Sequence, residues 1–165
     1  MQPRFAYLPV WQTIDEPTRK QVIAFWNEHG AITDADIAEK RVNQVVAIAR
    51  NQSDQAIAGV CTVIKRDLAD LGKVLFYYRT FVAEPYRNAF VMGSLMRTAT
   101  EFLENWSREN PEQGAAGMYL ELENASFSTH LRQAVWPRRG LEFVYIGNTP
   151  GGLERRVLWF KHTTI

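Results

Sequence analysis

The stretch Val74–Phe102, VLFYYRTFVAEPYRNAFVMGSLMRTATEF, constrains the fold more than any other part of the chain. Val74–Val82 is a run of β-branched, aromatic and apolar residues broken only by Arg79 and Thr80, the pattern of a strand covered on both faces. Ala83-Glu84-Pro85-Tyr86 must stop it, because Pro85 lacks a ladder donor and pushes Glu84 towards extended geometry. Arg87-Asn88 then leads into a helix with Asn88 as the expected N-cap. Val91, Leu95, Ala99, Phe102, Leu103 and Trp106 recur at steps of three and four and share one helical face. A strand, a tight turn and a helix N-terminus form a natural anion site, since the first helical amides lack internal partners and the dipole favours negative charge. Arg87 stands at that point. The same pattern also describes an ordinary strand–loop–helix connection, and periodicity leaves both readings open.

The rest of the chain supplies one domain, residues 1–165, with material for a sizeable core. A formal net charge of +1 argues against a nucleic-acid footprint, which needs a basic excess or stripe. There is no apolar run of membrane-spanning length, and MQPRFAYLPVWQ lacks the apolar core of a signal peptide. A single cysteine, Cys61, excludes an internal disulfide and fits a reducing compartment, so a cytoplasmic location is expected.

In order, Arg4–Thr13 reads as a short strand, placed near an edge by Pro9. Asp15-Glu16-Pro17 starts a helix to about His29, closed by Gly30. Thr33-Asp34 caps a shorter helix through about Lys40. Val42–Arg50 and Gln55–Lys65 read as an antiparallel hairpin joined by Asn51–Asp54. After the organising strand and helix, Ser107–Gly117 is a polar loop and Met118–Leu122 a strand. A helix from Glu123–Ser126 to about Val135 follows, closed by Pro137 and Gly140. Glu142–Ile146 and Arg155–Lys161 are the last strands.

The segment FVAEPYRNAFVMGSL resembles the acyl-CoA-binding segment of the GNAT superfamily of N-acetyltransferases, where a central strand precedes an Arg/Gln-x-x-Gly-x-Gly/Ala loop around the CoA pyrophosphate. Val82, Pro85, Tyr86 and Arg87 match the approach to that loop. Phe90 stands in place of the first glycine, Met92 in place of the Gly/Ala, and Gly93 comes one position late. DQAIAGVCTVIKR resembles the family's third strand, and MYLELENASFSTHLRQAVWPRRGLEFVYIG its second half. The order β-α-α-β-β-β-α-β-α-β-β is the family's order. The resemblance thus implies an α/β (α+β) GNAT-like fold, with a mixed, mostly antiparallel sheet flanked by helices.

It also implies a function, an N-acetyltransferase moving an acetyl group from acetyl-CoA to an amine of a small molecule or peptide. The main chain of Thr80, Phe81 and Val82 is then expected to hold pantetheine. Arg87, Asn88, Ala89, Phe90, Val91, Met92, Gly93 and Ser94 are expected at the pyrophosphate, chiefly through amides. Core packing under the helix is the other reading of Phe90 and Met92. The family's helix asparagine corresponds to Asn124 or Thr129, and Asn124 also reads as a simple helix cap. Candidate bases are Glu84, Glu121 and Glu123, with Tyr78 as a polar group in the central strand; each carboxylate also reads as a solvated residue. The family's tyrosine acid falls on Trp136, whose indole is a donor without useful acidity.

His29, His130, His162 and Cys61 show no metal-ligand spacing, and read as helix-end or surface histidines and a buried thiol. Arg138-Arg139 and Arg155-Arg156 could meet the adenosine 3′-phosphate or a partner, or simply be solvated. Phe90, Met92 and Trp136 support a second reading, a non-catalytic module that kept the fold and lost the site. The five tryptophans would also suit an oligomer interface, a homodimer being the simplest.

Overall fold

The computed structural model describes residues 4–87, 90–122 and 133–164. Among the described residues seven strands form a sheet in the order β1-β2-β3-β4-β5-β7-β6. They are β1 (Phe5–Pro9), β2 (Val45–Asn51), β3 (Ile57–Leu68), β4 (Lys73–Val82), β5 (Gly117–Leu122), β6 (Val144–Asn148) and β7 (Glu154–Trp159). The helices are α1 (Glu16–Glu28), α2 (Ala35–Arg41) and α3 (Val91–Glu109). The pairings β1–β2, β2–β3, β5–β7 and β6–β7 are antiparallel, while β4 and β5 run parallel, as α3 between them requires. Pro9 lies on terminal strand β1, where a missing donor is tolerated.

The chain folds into two compact units, Met1–Val63 with Arg79–Phe102, and Ile64–Tyr78 with Leu103–Ile165. Each draws on separated stretches, so no single cut in the sequence divides them.

In the first unit, the helix starts follow from local chemistry. The Asp15 carboxylate accepts from the Thr18 amide at 2.9 Å and Asp34 from the Asp36 and Ile37 amides, each satisfying orphan donors of a first turn. α1 ends where His29 caps it and Gly30 turns to φ 70°. Val22, Phe25 and Trp26 from α1 bury against Val45, Ile48 and Val60 of the sheet. Val91, Leu95 and Ala99 of α3 are fully buried, as the periodicity predicts. Cys61 is buried, its thiol 3.6 Å from the Ala47 carbonyl oxygen.

In the second unit, Phe76 packs against Trp106 and Phe160 at centroid distances of 6.4 Å. Leu68, Leu75, Tyr77, Tyr119 and Val157 form a second cluster. Trp136 is buried beside Phe143, with ring centroids 5.4 Å apart.

Several sequence expectations shift, three of them as follows. Val42–Gln44 is a 3₁₀ turn, so β2 begins only at Val45. β3 continues past Lys65 to Leu68 before the turn at Gly72. Val135 makes a bridge to Val144 instead of ending a helix, and the helix expected before it lies outside the described residues. No helix among the described residues is long and apolar enough to cross a membrane.

Candidate functional site

The end of β4 and the start of α3 lie in the first unit. Gly59 on β3 permits a close approach there. A Cβ at that position would stand 3.2 Å from Val82 Cγ2 and 3.3 Å from the Phe81 carbonyl oxygen. The Ala83 amide donates to the Ala58 carbonyl at 2.8 Å, the last tie before the chain leaves the sheet. Pro85 sits in a 3₁₀ turn, Glu84–Tyr86, anchored by Tyr86. The Tyr86 ring lies 5.2 Å from that of Phe5, and its hydroxyl accepts from the Asn51 side-chain amide at 3.2 Å. β4 pairs with β5 at Phe76–Met118 and Tyr77–Tyr119, and Thr80, Phe81 and Val82 lie further along β4.

Arg87 turns back over the strand it follows. Its Nε donates to the Val82 carbonyl at 3.0 Å, and its guanidinium carbon lies 5.5 Å from the Phe81 ring centroid. Among the described residues the guanidinium is held through Nε, and its two terminal nitrogens have the fork geometry that suits an anion.

Phe90 holds the most informative backbone angle. It adopts φ 60°, in the left-handed region that favours glycine, at the position where the resembled motif has its first glycine. Its side chain is 76% exposed, which excludes the core-packing reading of this residue. Met92 is half-buried. The backbone therefore takes a glycine-type turn although the residue is phenylalanine. Left-handed geometry costs a non-glycine residue about 1–2 kcal/mol, and glycine returns about 0.5–1 kcal/mol of unfolded-state entropy. Phe90→Gly is accordingly expected to hold or raise stability by up to about 1 kcal/mol, and Phe90→Val to lower it, as read from urea midpoints.

Immediately after Phe90, α3 begins at Val91. The amides of Val91, Met92 and Gly93 precede the first helical hydrogen bond, which the Ser94 amide donates to the Phe90 carbonyl at 3.1 Å. The Ser94 amide is therefore used inside the helix. Asn88, Ala89, Asn124 and Thr129, expected at the cofactor, lie outside the described residues, as does Glu123.

Sequence reasoning read His29 as a helix-end or surface histidine, and the structure adds the rings it lies against. Its imidazole is exposed at the C-terminus of α1, with its centroid 4.8 Å from Phe25 and 6.2 Å from Phe81. Phe25 and Phe81 themselves pack edge-on at 5.8 Å. Only the packing of α1 on β4 brings these rings together, and no local motif announces it.

The second unit contains a chain of charged and phenolic groups. Glu121 on β5 lies 3.5 Å from Arg66 and accepts from the Tyr119 hydroxyl at 2.9 Å. The same hydroxyl accepts from Arg155 Nε at 2.9 Å, and Arg155 pairs with both carboxylate oxygens of Asp70 at 2.9 and 3.2 Å. The hydrogen bond from Arg155 holds the Asp70 carboxyl below its ordinary value. Burial, with a smaller contribution from Glu121, pushes the Tyr119 phenol up, and the pairing with Asp70 and Tyr119 raises Arg155 further. Glu121 is thus already engaged by a cation and a phenol.

Of the three candidate catalytic groups, Tyr78 and Glu121 belong to the second unit and Glu84 to the first. Tyr78 is buried, and strand alternation puts it on the face opposite Tyr77, whose ring is 5.7 Å from that of Tyr119. Glu121 shares the Tyr119 face. Glu84 is exposed in the 3₁₀ turn.

Arg156 corrects the solvated reading of the late arginine pair. It is 1% exposed, bonded to Glu154 at 2.6 Å, and its guanidinium lies 5.0 Å from the Trp136 ring centroid. Trp136 therefore serves a buried cation–π stack. Among the described residues no group of three or more His, Cys, Asp or Glu side chains is placed to hold a metal ion.

Solved structures share this architecture. A Drosophila melanogaster polyamine N-acetyltransferase that forms N-acetylagmatine aligns with TM-score 0.63 at 10% identity, over 94% of this chain and 100% of that one. An acetyltransferase of the GNAT family from Streptococcus pneumoniae aligns with TM-score 0.58 at 11% identity, over 95% and 99% of the two chains. An Arabidopsis thaliana protein solved in complex with acetyl-CoA aligns with TM-score 0.58 at 13% identity, over 94% and 99%. No protein-family model and no curated protein sequence matches the chain. The chain has the fold of the GNAT superfamily of acetyltransferases.

Proposed function

We propose that this chain is an N-acetyltransferase that moves an acetyl group from acetyl-CoA to an amine of a small molecule or peptide by direct attack. The observation that carries the reading is the glycine-type turn at Phe90, φ 60°, leading into the N-terminus of α3 after the β4 strand. Amides at a helix start suit a pyrophosphate, and they supply the same donors whichever side chains they carry. Arg87 adds a cation beside them, and the main chain of Thr80, Phe81 and Val82 is assigned to pantetheine. Solved acetyltransferases of the same fold support the donor, one of them holding acetyl-CoA.

In the proposed reaction the acceptor ammonium loses one proton and its nitrogen attacks the thioester carbon. The C–N bond forms and the C–S bond breaks. The second nitrogen proton balances the departing thiolate, giving CoA thiol and the amide. Trp136 offers no acid for that step, so the rate must come mainly from holding amine and thioester in register. Effective molarities for such positioning reach on the order of 10⁵ M or more.

The test is release of CoA thiol and the mass of the acetylated product, measured with polyamines, arylalkylamines and peptide N-termini as acceptors. Product with at least one class supports the reading; no transfer to any, with acetyl-CoA bound, favours a non-catalytic module. The buried Trp136–Arg156 stack at the place expected for the acid is the observation that favours that second reading. Arg87→Ala is expected to weaken acetyl-CoA binding about 10-fold or more, the worth of a charge-assisted hydrogen bond, with the fold retained. An unchanged Kd by calorimetry would remove Arg87 from the pyrophosphate.

A further inference from the structure

We infer that His29 is the proton acceptor for the amine in this chain. The inference rests on the acyl-transfer reading above and assigns the base that reading lacks. Glu121 is engaged by Arg66 and Tyr119, Tyr78 is buried on the other face of its strand, and Glu84 sits exposed in the turn after β4. His29 differs from all three. Its ring stands against Phe81, one of the residues whose main chain is assigned to pantetheine, at 6.2 Å between centroids. It is exposed, and among the described residues its imidazole makes ring contacts with Phe25 and Phe81 and no hydrogen bond.

An accessible imidazole with unoccupied ring nitrogens beside the acyl-bearing strand is suited to take a proton from an ammonium, directly or through one water. Two elements pack against it. On α1 the adjacent charged residue is exposed Glu28. On β4, Arg79 shares the Phe81 face by strand alternation, and beyond the strand Arg87 lies over the same Phe81 ring. The step balances: the ammonium gives one proton to the imidazole, nitrogen bonds to the acyl carbon as the C–S bond breaks, the second nitrogen proton offsets the one the departing thiolate takes up to become CoA thiol, and imidazolium returns its proton to solvent.

His29→Gln and His29→Ala are compared with the wild type for acetyl-CoA affinity by calorimetry and for kcat/KM from pH 6 to 9.5. Both variants are expected to bind acetyl-CoA as the wild type does. They should lose about 10²-fold in kcat/KM near neutrality, the usual worth of a general base, together with the acidic limb of the profile. Millimolar imidazole should restore part of the rate to His29→Ala, which a merely structural histidine would not permit. Wild-type kcat/KM and pH profile in both variants would overturn the assignment while leaving the acyl-transfer reading intact. A wild type that fails to bind acetyl-CoA would remove that reading and this inference with it.

Discussion

Gly117→Ala is expected to destabilise the protein by about 3–4 kcal/mol, among the largest effects available from one methyl group. The reason is backbone against backbone. A Cβ at Gly117 would lie 2.2 Å from the Leu158 carbonyl oxygen and 3.1 Å from both the Leu158 carbonyl carbon and Trp159 Cα. No side-chain rotation relieves a clash with main chain. The strands cannot slide apart either, because β5 and β7 pair from Gly117–Trp159 through to Leu122–Glu154. Just outside the pair, the Ala116 amide donates to Val74 and the Ala116 carbonyl accepts from Phe160, at 2.9 Å each. For a domain of this size the loss lowers Tm by about 6–16 °C. Gly151→Ala is the control, since its Cβ would meet only the Thr149 hydroxyl at 3.8 Å, and it should stay within about 0.5 kcal/mol. A Gly117→Ala protein within 1 kcal/mol of wild type would contradict the strand spacing described for this unit.

Arg156→Ala is expected to cost about 3–5 kcal/mol. Two effects add. The first is the void left by a large side chain that is 1% exposed, against Trp136 at 5.0 Å and Tyr145 at 5.8 Å. The second is loss of a partner for Glu154, which is largely buried and holds Arg156 Nε at 2.6 Å. The carbonyls of Ala134 and Phe143 also lose a donor at 3.4 and 3.3 Å. Arg156→Lys should recover only part of the loss, because an ammonium cannot serve Glu154 and two carbonyls while lying flat on an indole. The double change Arg156→Met with Glu154→Leu should lie well above Arg156→Ala in stability, since removing both charges removes the unpaired one. If Arg156→Ala and the double variant have equal urea midpoints, the ion pair is not what fixes this corner.

The course of the strands was legible because alternation and β-branched runs translate directly into burial. Leu75, Phe76, Tyr77 and Tyr78 are all buried, as a strand covered on both faces demands. Helix starts were legible for the same kind of reason, with Asp15 and Asp34 bonded to first-turn amides. Arg156 was read as surface on its charge alone. Its spacing carried the opposite signal, since Arg156, Leu158 and Phe160 alternate onto one face and both apolar members are buried. The left-handed turn at Phe90 was not legible, because phenylalanine gives no hint of positive φ; only the motif position pointed there. The contact between His29 and Phe81 depends on how α1 lies on β4, which no local window encodes. The engagement of Glu121 by Arg66 was equally hidden, for it joins β3 and β5 through side chains far apart in sequence.

The most direct test of the central claim is the thermal midpoint with and without acetyl-CoA, using desulfo-CoA and ATP as controls. A ligand specific for the native state at about 100 times its Kd adds about 2.7 kcal/mol. For a domain of this size that raises Tm by roughly 5–10 °C. The account predicts that rise with acetyl-CoA and with desulfo-CoA, and none with ATP. No rise with either CoA ligand at millimolar concentration would contradict it, and the turn at Phe90 would then be a GNAT loop that no longer holds its donor.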